Sequence, residues 1–297
     1  MYKTIFLILI STSVLKAQVN EPIEVEEEKS KAGITRQFTP SVGFVQSGFR
    51  DFATSPLYYQ GPGLHLGLGW YWEGAKWENG FEANLNLAFT QSKAPNSEYF
   101  QTGHSAVFIN SQIYNSYLRK IDNWSFRDYT FKVGGTFISD FNTRINTSLQ
   151  NATGGFEALA NLMLAGKVEK DISRTQSKEF GFWFLKRTLN PAKRKLSFQL
   201  NAGLLNFNWR PGYSYVLDSE INGSDSKLTE YFFASHSWSL NGWRLGSRLE
   251  YSVIRPSGNG MKFSYVWDAA HAPGKFENFQ MASHSIRYTL IVNSSKK

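Results

Sequence analysis

Alternation of apolar and polar residues, repeated in many segments of about ten residues, most constrains the fold of this 297-residue chain. The clearest pair of segments spans residues 64–72 and 81–89, which are separated by a short glycine-containing break. Successive side chains of a β-strand point to opposite faces, so Leu64 and Leu66 share one face and His65 lies on the other. Throughout a chain, this pattern is typical of a transmembrane β-barrel with an apolar outside and a polar inside. The sequence therefore predicts an all-β, antiparallel transmembrane β-barrel.

The N-terminus predicts export. Residues 1–17 read as a signal peptide, because Lys3 precedes a short apolar core at residues 5–10 and Ala17 offers a cleavage site. Residues 18–36 contain five glutamates and few apolar residues, which predicts an acidic, disordered periplasmic leader. Residues 37–297 are predicted to form one domain, the barrel. The chain contains no cysteine, which excludes disulfides and a lipid-modified N-terminal cysteine.

The amino-acid composition further limits the classes of protein to which the chain could belong. No segment after the signal peptide offers about 18 uninterrupted apolar residues, which excludes helical membrane spans. The chain has 9 Trp, 14 Tyr and 24 Phe, and the tryptophans gather near the ends of predicted strands, as in the aromatic girdles of membrane barrels. The formal charge of +8 is scattered along the chain, so nucleic acid is not a predicted partner. A soluble all-β protein is the alternative, but it would have to cover its outward apolar residues with a second layer.

The strand count is less well determined. A single-chain bacterial barrel has an even number of strands, and we predict twelve, with fourteen as the alternative. When strand orientations are assigned from the N-terminus and from the C-terminus, the two assignments conflict between residues 178 and 240. Asn241-Gly242 is predicted as a turn between two strands. Thirteen segments have strand character: 38–50, 61–73, 77–91, 104–118, 124–138, 154–168, 178–187, 194–208, 212–217, 228–240, 243–255, 260–268 and 279–293.

The last segment alternates Ile286, Tyr288, Leu290 and Val292 with polar residues. It resembles the closing strand that the barrel-assembly machinery recognises in outer-membrane proteins. Over nearly its whole mature length, the chain resembles the outer-membrane β-barrel proteins of Gram-negative bacteria. This resemblance implies a location in the outer membrane, among outer-membrane lipids.

The alternation also predicts which polar residues face the lumen. Opposite charges in a narrow lumen can pair with one another and close the lumen. Alternatively they line a narrow pore, and only in that case would they determine which solutes pass. The predicted lumen-facing residues are Glu82, Asn84, Asn86, Asp128, Lys132, Arg244, Arg248, Glu250, Lys262 and Arg287.

A cluster of basic residues is a candidate for binding lipid headgroups. If its loop lies outside the cell it would meet lipopolysaccharide phosphates, and if it lies inside it is a solvated turn. Its members are Lys186, Arg187, Lys193, Arg194 and Lys195.

Three His-Ser dipeptides suggest a lipid hydrolase as a minority hypothesis. They begin at His104, His236 and His284. Nucleophilic catalysis requires a serine hydroxyl within hydrogen-bond reach of an imidazole. Adjacent residues on a strand point to opposite faces, so only a cross-strand pair could provide this, and Ser237 and His284 are the residues we would test. No cofactor or metal site is predicted, since the histidines are scattered and no carboxylates have ligand spacing.

The sequence predicts a non-enzymatic outer-membrane barrel. An accessory or structural subunit of a larger outer-membrane assembly is favoured, because the predicted lumen charges can pair. A narrow porin or transport channel is the alternative, and the lipid hydrolase comes third.

Overall fold

The computed structural model describes residues 33–92, 105–147, 149, 153–181, 187–189, 191–211, 236–273 and 278–294. All strand pairs are antiparallel. In the part of the chain that the structure describes, no helical segment has the length and hydropathy needed to span a bilayer. The strands are β1 (Thr35–Phe38), β2 (Ser41–Asp51), β3 (Ser55–Glu73), β4 (Trp77–Ser92), β5 (Ser105–Lys120), β6 (Tyr129–Ile145), β7 (Gly154–Asp171), β8 (Lys178–Phe180), β9 (Arg187–Leu189), β10 (Lys193–Pro211), β11 (His236–Leu240), β12 (Trp243–Ile254), β13 (Gly260–Pro273) and β14 (Asn278–Asn293), with one 3₁₀ turn at Asp122–Trp124.

Twelve of these strands form one sheet that closes on itself, which confirms the predicted barrel of about twelve strands. Closure is made by β14 and β2, where Ile286 lies opposite Phe44. Two of the twelve are short continuations of their neighbours. β1 and β2 both pair with β3 and β14, and β11 and β12 both pair with β10 in the same direction. The ring of described strands therefore consists of ten passes of the chain, an even number.

Both interruptions have a local cause. Between β1 and β2 lies Pro40, which has no N–H to donate to the ladder. Between β11 and β12 lies Gly242, with a φ of 92° that favours glycine. A Cβ at Gly242 would lie 2.2 Å from the His271 carbonyl oxygen. The prediction of a turn at Asn241-Gly242 is therefore wrong, because these residues interrupt a strand that continues in the same direction.

Other predicted boundaries also change. The segment predicted as a strand at 178–187 does not join the ring. Instead β8 and β9 pair with each other as a two-stranded hairpin between β7 and β10. The candidate strand at 212–217, the signal peptide and the leader as far as residue 32 lie outside the described residues. The barrel begins at Thr35, two residues before the predicted boundary, because β1 already pairs with β3.

The barrel has two ends, which we name from the chain. At the proximal end β1 begins and β14 ends, and the strands are connected by residues 74–76, 121–128, 172–192 and 255–259. At the distal end the connections are residues 52–54, 93–104, 146–153, 212–235 and 274–277.

Outward-facing side chains form an apolar belt. Leu64, Leu162 and Leu200 are about half exposed although they lie in the middle of strands, as lipid contact requires. Tryptophans are exposed toward both ends of the belt, with Trp70 at the proximal end and Trp238 at the distal end. The belt and the closed ring define a transmembrane β-barrel of the outer-membrane type.

Candidate functional site in the barrel lumen

The structure places nine of the ten residues predicted to face the lumen inside the barrel. The tenth, Asp128, is exposed in the turn before β6, where its carbonyl oxygen accepts a hydrogen bond from the Asp171 N–H. The strand predicted from residue 124 begins only at Tyr129, and this correction moves Asp128 out of the lumen. The nine are buried or nearly so: Glu82, Asn84, Asn86, Lys132, Arg244, Arg248, Glu250, Lys262 and Arg287.

The ion-paired side chains of the lumen include equal numbers of acidic and basic groups. Among the described residues, nine acidic and nine basic side chains make ion pairs with one another in the lumen. Eleven of them were not predicted to face the lumen, although the alternation in β6 and β7 already places Asp140, Lys167 and Glu169 on the inner face. From the proximal to the distal end, they form a proximal cluster (Glu73, Glu78, Lys132, Lys167, Glu169, Lys195), a middle cluster (Glu82, Arg248, Glu250, Lys262, Arg287), an amide-rich cluster (Asp140, Arg244, Asp268) and a distal cluster (Asp51, Arg144, Glu157, Arg210).

In the proximal cluster, three carboxylates alternate with three ammonium groups. The Lys167 ammonium lies 2.8 Å from both Glu78 and Glu169, and the Lys195 ammonium lies 2.9 Å from Glu73. Lys132 contacts all three carboxylates, at 2.9 Å from Glu169 and 3.7 Å from Glu73.

The same three carboxylates are close enough to share a metal ion. The three ammonium groups already neutralise them, so the arrangement is complete without a cation.

The middle cluster contains one more cation than anion. Arg248 donates two hydrogen bonds to Glu82, at 2.5 Å and 2.9 Å. Lys262 lies 2.9 Å from Glu250. Arg287 is the surplus cation, with its closest carboxylate, that of Glu82, at 3.8 Å.

The amide-rich cluster contains one more anion than cation. Arg244 is fully buried, donates to Asp268 at 2.5 Å and 3.0 Å, and also contacts Asp140. Asn110 and Gln112 each donate a hydrogen bond to Asp140 at 3.0 Å. These amides satisfy the second carboxylate oxygen without adding charge.

The distal cluster combines ion pairs with aromatic packing. The Asp51 carboxylate lies 2.7 Å from Arg144 and 2.9 Å from Arg210, and Arg144 also pairs with Glu157. Both guanidinium groups lie over the Phe279 ring, at 5.0 Å and 5.4 Å from its centroid. Phe279 belongs to a buried apolar cluster inside this end of the barrel, which also includes Phe49, Tyr59, Phe108 and Leu159.

Several of these contacts cross the full width of the lumen. Arg248 on β12 and Glu82 on β4 are five passes apart in a ring of ten, which places them on opposite walls. The same separation holds for Lys195 on β10 and Glu73 on β3. Each of these contacts bridges the lumen from one wall to the other.

The cavities between the clusters are small. The one beside Tyr71, Glu82 and Arg248 measures about 10 Å³, and the one beside Asn86 and Arg287 about 30 Å³. A single water molecule needs about 10–15 Å³. A larger space of about 180 Å³ lies at the proximal mouth, and one of about 90 Å³ extends from the proximal cluster to Glu250 and Lys262 of the middle cluster.

A serine, a histidine and an asparagine, which the sequence did not connect, meet in the lumen. His65 lies 3.2 Å from the Ser41 hydroxyl through Nε2 and 2.8 Å from the Asn86 side-chain oxygen through Nδ1. Asn86 donates to Asn110 at 2.8 Å, which fixes its amide orientation and leaves its oxygen to accept from His65. The connectivity is that of a catalytic triad. The adjoining cavity of about 10 Å³ has room for water but not for an ester substrate.

The predicted His-Ser dipeptides do not form a triad in the described residues. His284 hydrogen bonds to the Tyr265 hydroxyl at 2.6 Å on the outer surface. His236 stacks on the Phe156 ring, with centroids 4.3 Å apart. His104 lies outside the described residues.

The predicted basic cluster is divided. Lys195 turns into the lumen, where it contacts Glu73, and it is therefore not placed to bind lipid headgroups. Lys193 and Arg194 begin β10 at the proximal end, and Arg187 begins β9. Lys186 lies outside the described residues.

No protein-family model matches the sequence, and no curated protein matches it. Among solved structures, the chain is similar to the translocator domain of autotransporter NalP from Neisseria meningitidis, with 8% identity, coverage of 87% of this chain and 90% of that one, and a TM-score of 0.32. It is also similar to the β domain of the Bordetella autotransporter BrkA, with 11% identity, coverage of 84% and 98%, and a TM-score of 0.29. An outer membrane channel from Pseudomonas putida F1 matches with 9% identity, coverage of 92% and 100%, and a TM-score of 0.29. The assignment of the fold rests on the closed ring and its apolar exterior.

Proposed function

We propose that this protein is a non-conducting, non-enzymatic outer-membrane β-barrel that acts as an accessory or structural subunit of a larger outer-membrane assembly. The observation that carries the proposal is the paired lumen, with Arg248 and Glu82 joined across its full width. A barrel closed in this way offers a partner its wall and its two ends, since the interior has no path for a solute.

The connections favour one orientation. Two distal connections, residues 93–104 and 212–235, are long, while three of the four proximal ones have eight residues or fewer. Outer-membrane barrels carry short periplasmic turns and longer outer loops. We therefore place the proximal end in the periplasm, and with it β9 and the start of β10, where the described basic residues of the predicted cluster lie.

Ion conductance tests whether the lumen is closed. We expect wild-type barrel in a planar lipid bilayer to give no stepwise current. The matched variant Glu82→Ser/Arg248→Ser removes one anion and one cation, keeps the net charge and opens the bridge across the lumen, so its current should exceed that of the wild type. Regular wild-type current steps would contradict the proposal and support a narrow channel.

The accessory role has a separate test. Tagged protein is recovered from native membranes in mild detergent, and co-purifying proteins are identified by mass spectrometry. A stoichiometric outer-membrane component supports the accessory role. Recovery without any other protein contradicts it, whatever the conductance experiment gives.

A further inference from the structure

Three cations lie together on the outer wall at the proximal end of the barrel. The ladder between β7 and β10 continues beyond the end of β7, since Arg174 and Ala192 exchange two backbone hydrogen bonds of 3.1 Å. Lys170, Arg174 and Arg194 all occupy outward positions, as does Leu196, which lies opposite Lys170. We call Lys170, Arg174 and Arg194 the proximal cation cluster.

The register brings the three side chains within reach of one another. Arg194 is a diagonal neighbour of Lys170, because Lys170 lies opposite Leu196. It is also a diagonal neighbour of Arg174, because Arg174 lies opposite Ala192. Diagonal neighbours on adjacent strands are about 7–8 Å apart, which long side chains can span. One small anion can therefore contact Arg194 together with either of its neighbours.

The cluster lacks acceptors within the described part of the chain. Neither guanidinium group donates a side-chain hydrogen bond there, although Arg194 Nε and Arg174 Nη1 are shielded from solvent. These shielded nitrogens show that both side chains lie against the wall rather than extending into water. The Lys170 ammonium is also held at the wall, 5.1 Å from the centroid of the Tyr129 ring.

Carboxylates do not neutralise the cluster. Asp171 alternates to the other face of β7, where it lies opposite Lys195. Asp128, in the turn before β6, forms no ion pair with any described residue. The outward positions at the proximal ends of β7 and β10 thus combine three cations with no anion among the described residues.

The cluster lies at the edge of the apolar belt. On β10, the outward residues that follow Arg194 toward the distal end are Leu196 and Phe198, each 39% exposed. On β7, the outward residue before Lys170 on the distal side is Val168. Long cationic side chains beside an apolar surface place their charge at the level of lipid headgroups. A molecule bound here would meet cations at one end and apolar side chains at the other.

We propose that the proximal cation cluster binds the phosphate of an anionic phospholipid in the periplasmic leaflet. Guanidinium groups donate paired hydrogen bonds to phosphate oxygens, and the added lysine increases the attraction to an anionic headgroup. The acyl chains of such a lipid would pack on Leu196 and Phe198. Inorganic phosphate offers the same oxygens but cannot make this apolar contact.

The distal end has no comparable site among the described residues. One described cation, Arg50, lies on its outer wall, where it donates to the Pro56 carbonyl oxygen at 2.8 Å and lies 4.2 Å from the Phe52 ring centroid. Arg50 is thus engaged within its own barrel. The proposed site depends on the membrane-spanning fold, and its leaflet depends on the orientation proposed above. It does not depend on the closed lumen or the accessory role, so a conducting barrel would leave it standing.

Native mass spectrometry of the detergent-solubilised barrel tests the site, with phosphatidylglycerol and the zwitterionic phosphatidylcholine as competing probes. We expect the wild type to bind phosphatidylglycerol in preference to phosphatidylcholine. Arg194→Gln should weaken phosphatidylglycerol binding about tenfold, as the loss of a hydrogen bond to a charged group implies. Arg119→Gln is the matched control, since it removes an exposed arginine near the proximal end of β5 and should leave binding unchanged.

A second variant, Arg174→Gln, lies beyond the end of β7 and should weaken binding without affecting the barrel strands. Folding of each variant is checked by its heat-modifiable mobility on a gel. Equal affinity for the two lipids, or equal losses in Arg194→Gln and Arg119→Gln, would overturn the proposal.

Two further arms separate the sources of phosphate. Inorganic phosphate at the same concentration should not displace the lipid, and displacement would show a site for a free anion instead. A preference for lipopolysaccharide over phosphatidylglycerol would contradict the proposed leaflet. Unchanged lipid binding in both cluster variants, together with loss of a protein that co-purifies with the wild type, would show that the cluster binds a protein.

Discussion

Removing either partner of the Glu82–Arg248 pair should destabilise the barrel by different amounts, although both changes break the same contact. The middle cluster holds two carboxylates and three cations. Glu82→Gln leaves one anion against three cations, whereas Arg248→Met leaves two against two. The Glu82 variant should therefore be the less stable of the two.

The magnitude follows from burial and distance. At about 4 Å and an effective dielectric constant near 20, one charge pair contributes about 4 kcal/mol. Glu82→Gln loses the attraction to Arg248 and to Arg287, 3.8 Å away, and we expect it to lower the free energy of unfolding by about 3–5 kcal/mol, as for a broken buried pair. Arg248→Met also removes repulsion from the other two cations, so we expect the lower cost of lost charged hydrogen bonds, about 1–3 kcal/mol.

The assay is equilibrium unfolding of barrel in phospholipid vesicles with guanidinium chloride, followed by tryptophan fluorescence. Lys76→Ala is the control, since it breaks an exposed ion pair with Asp122 in a turn and should leave the midpoint unchanged. A larger loss for Arg248→Met than for Glu82→Gln would refute the charge argument. Losses below about 1 kcal/mol for both would show that the lumen is hydrated like a surface.

Three further outcomes follow from the structure. A hydrogen bond and charge from Lys76 hold the pKa of Asp122 below its ordinary value. The stabilisation that this pair gives the folded turn is therefore present above the pKa of Asp122 in the unfolded chain, and it is lost as pH falls through the pKa of Asp122 in the folded protein. A carboxyl NMR titration of Lys76→Ala should show the pKa of Asp122 moving up. Gly61→Ala places a Cβ 1.9 Å from a carbonyl oxygen of β4 and should cost about 1–3 kcal/mol in the same unfolding assay, whereas Gly166→Ala meets nothing within 4 Å and should be tolerated. Purified barrel should release no fatty acid from phospholipid vesicles, and Ser237→Ala should not alter that result; turnover lost in the variant would restore the hydrolase hypothesis.

The barrel could be predicted from the sequence because its strands alternate strictly. Segments such as 64–72 appear in the structure as parts of strands with the expected faces, since period-two patterning has no other solution in a membrane. The number of passes could not be read in the same way. Asn241-Gly242 has the composition of a hairpin turn, and only the shared pairing of β11 and β12 with β10 shows that the strand continues.

The sequence predicts which residues face the lumen, but it does not predict which of them form ion pairs with one another. Period two assigns Arg244 and Glu82 to the inside, but their ion-pair partners depend on which strands face one another across the ring. The contact of His65 with Ser41 joins residues 24 positions apart on neighbouring strands. Its identification needs the register, which a hydrophobic pattern does not supply.

The filling of the lumen with charges, rather than with apolar side chains, bears on how the barrel closes. Buried ion pairs add little net stability compared with apolar packing, because desolvation offsets most of the attraction. They are, however, highly selective for geometry. Arg248 and Glu82 are 166 residues apart and meet only when every intervening strand is in register. An apolar lumen would also make the inner and outer faces of each strand equivalent, so that a slip of one residue would exchange them at little cost. With charges inside, such a slip exposes them to lipid at a cost of about 2–4 kcal/mol for each Lys or Arg at the bilayer midplane. The charged lumen therefore specifies one register and one closed ring.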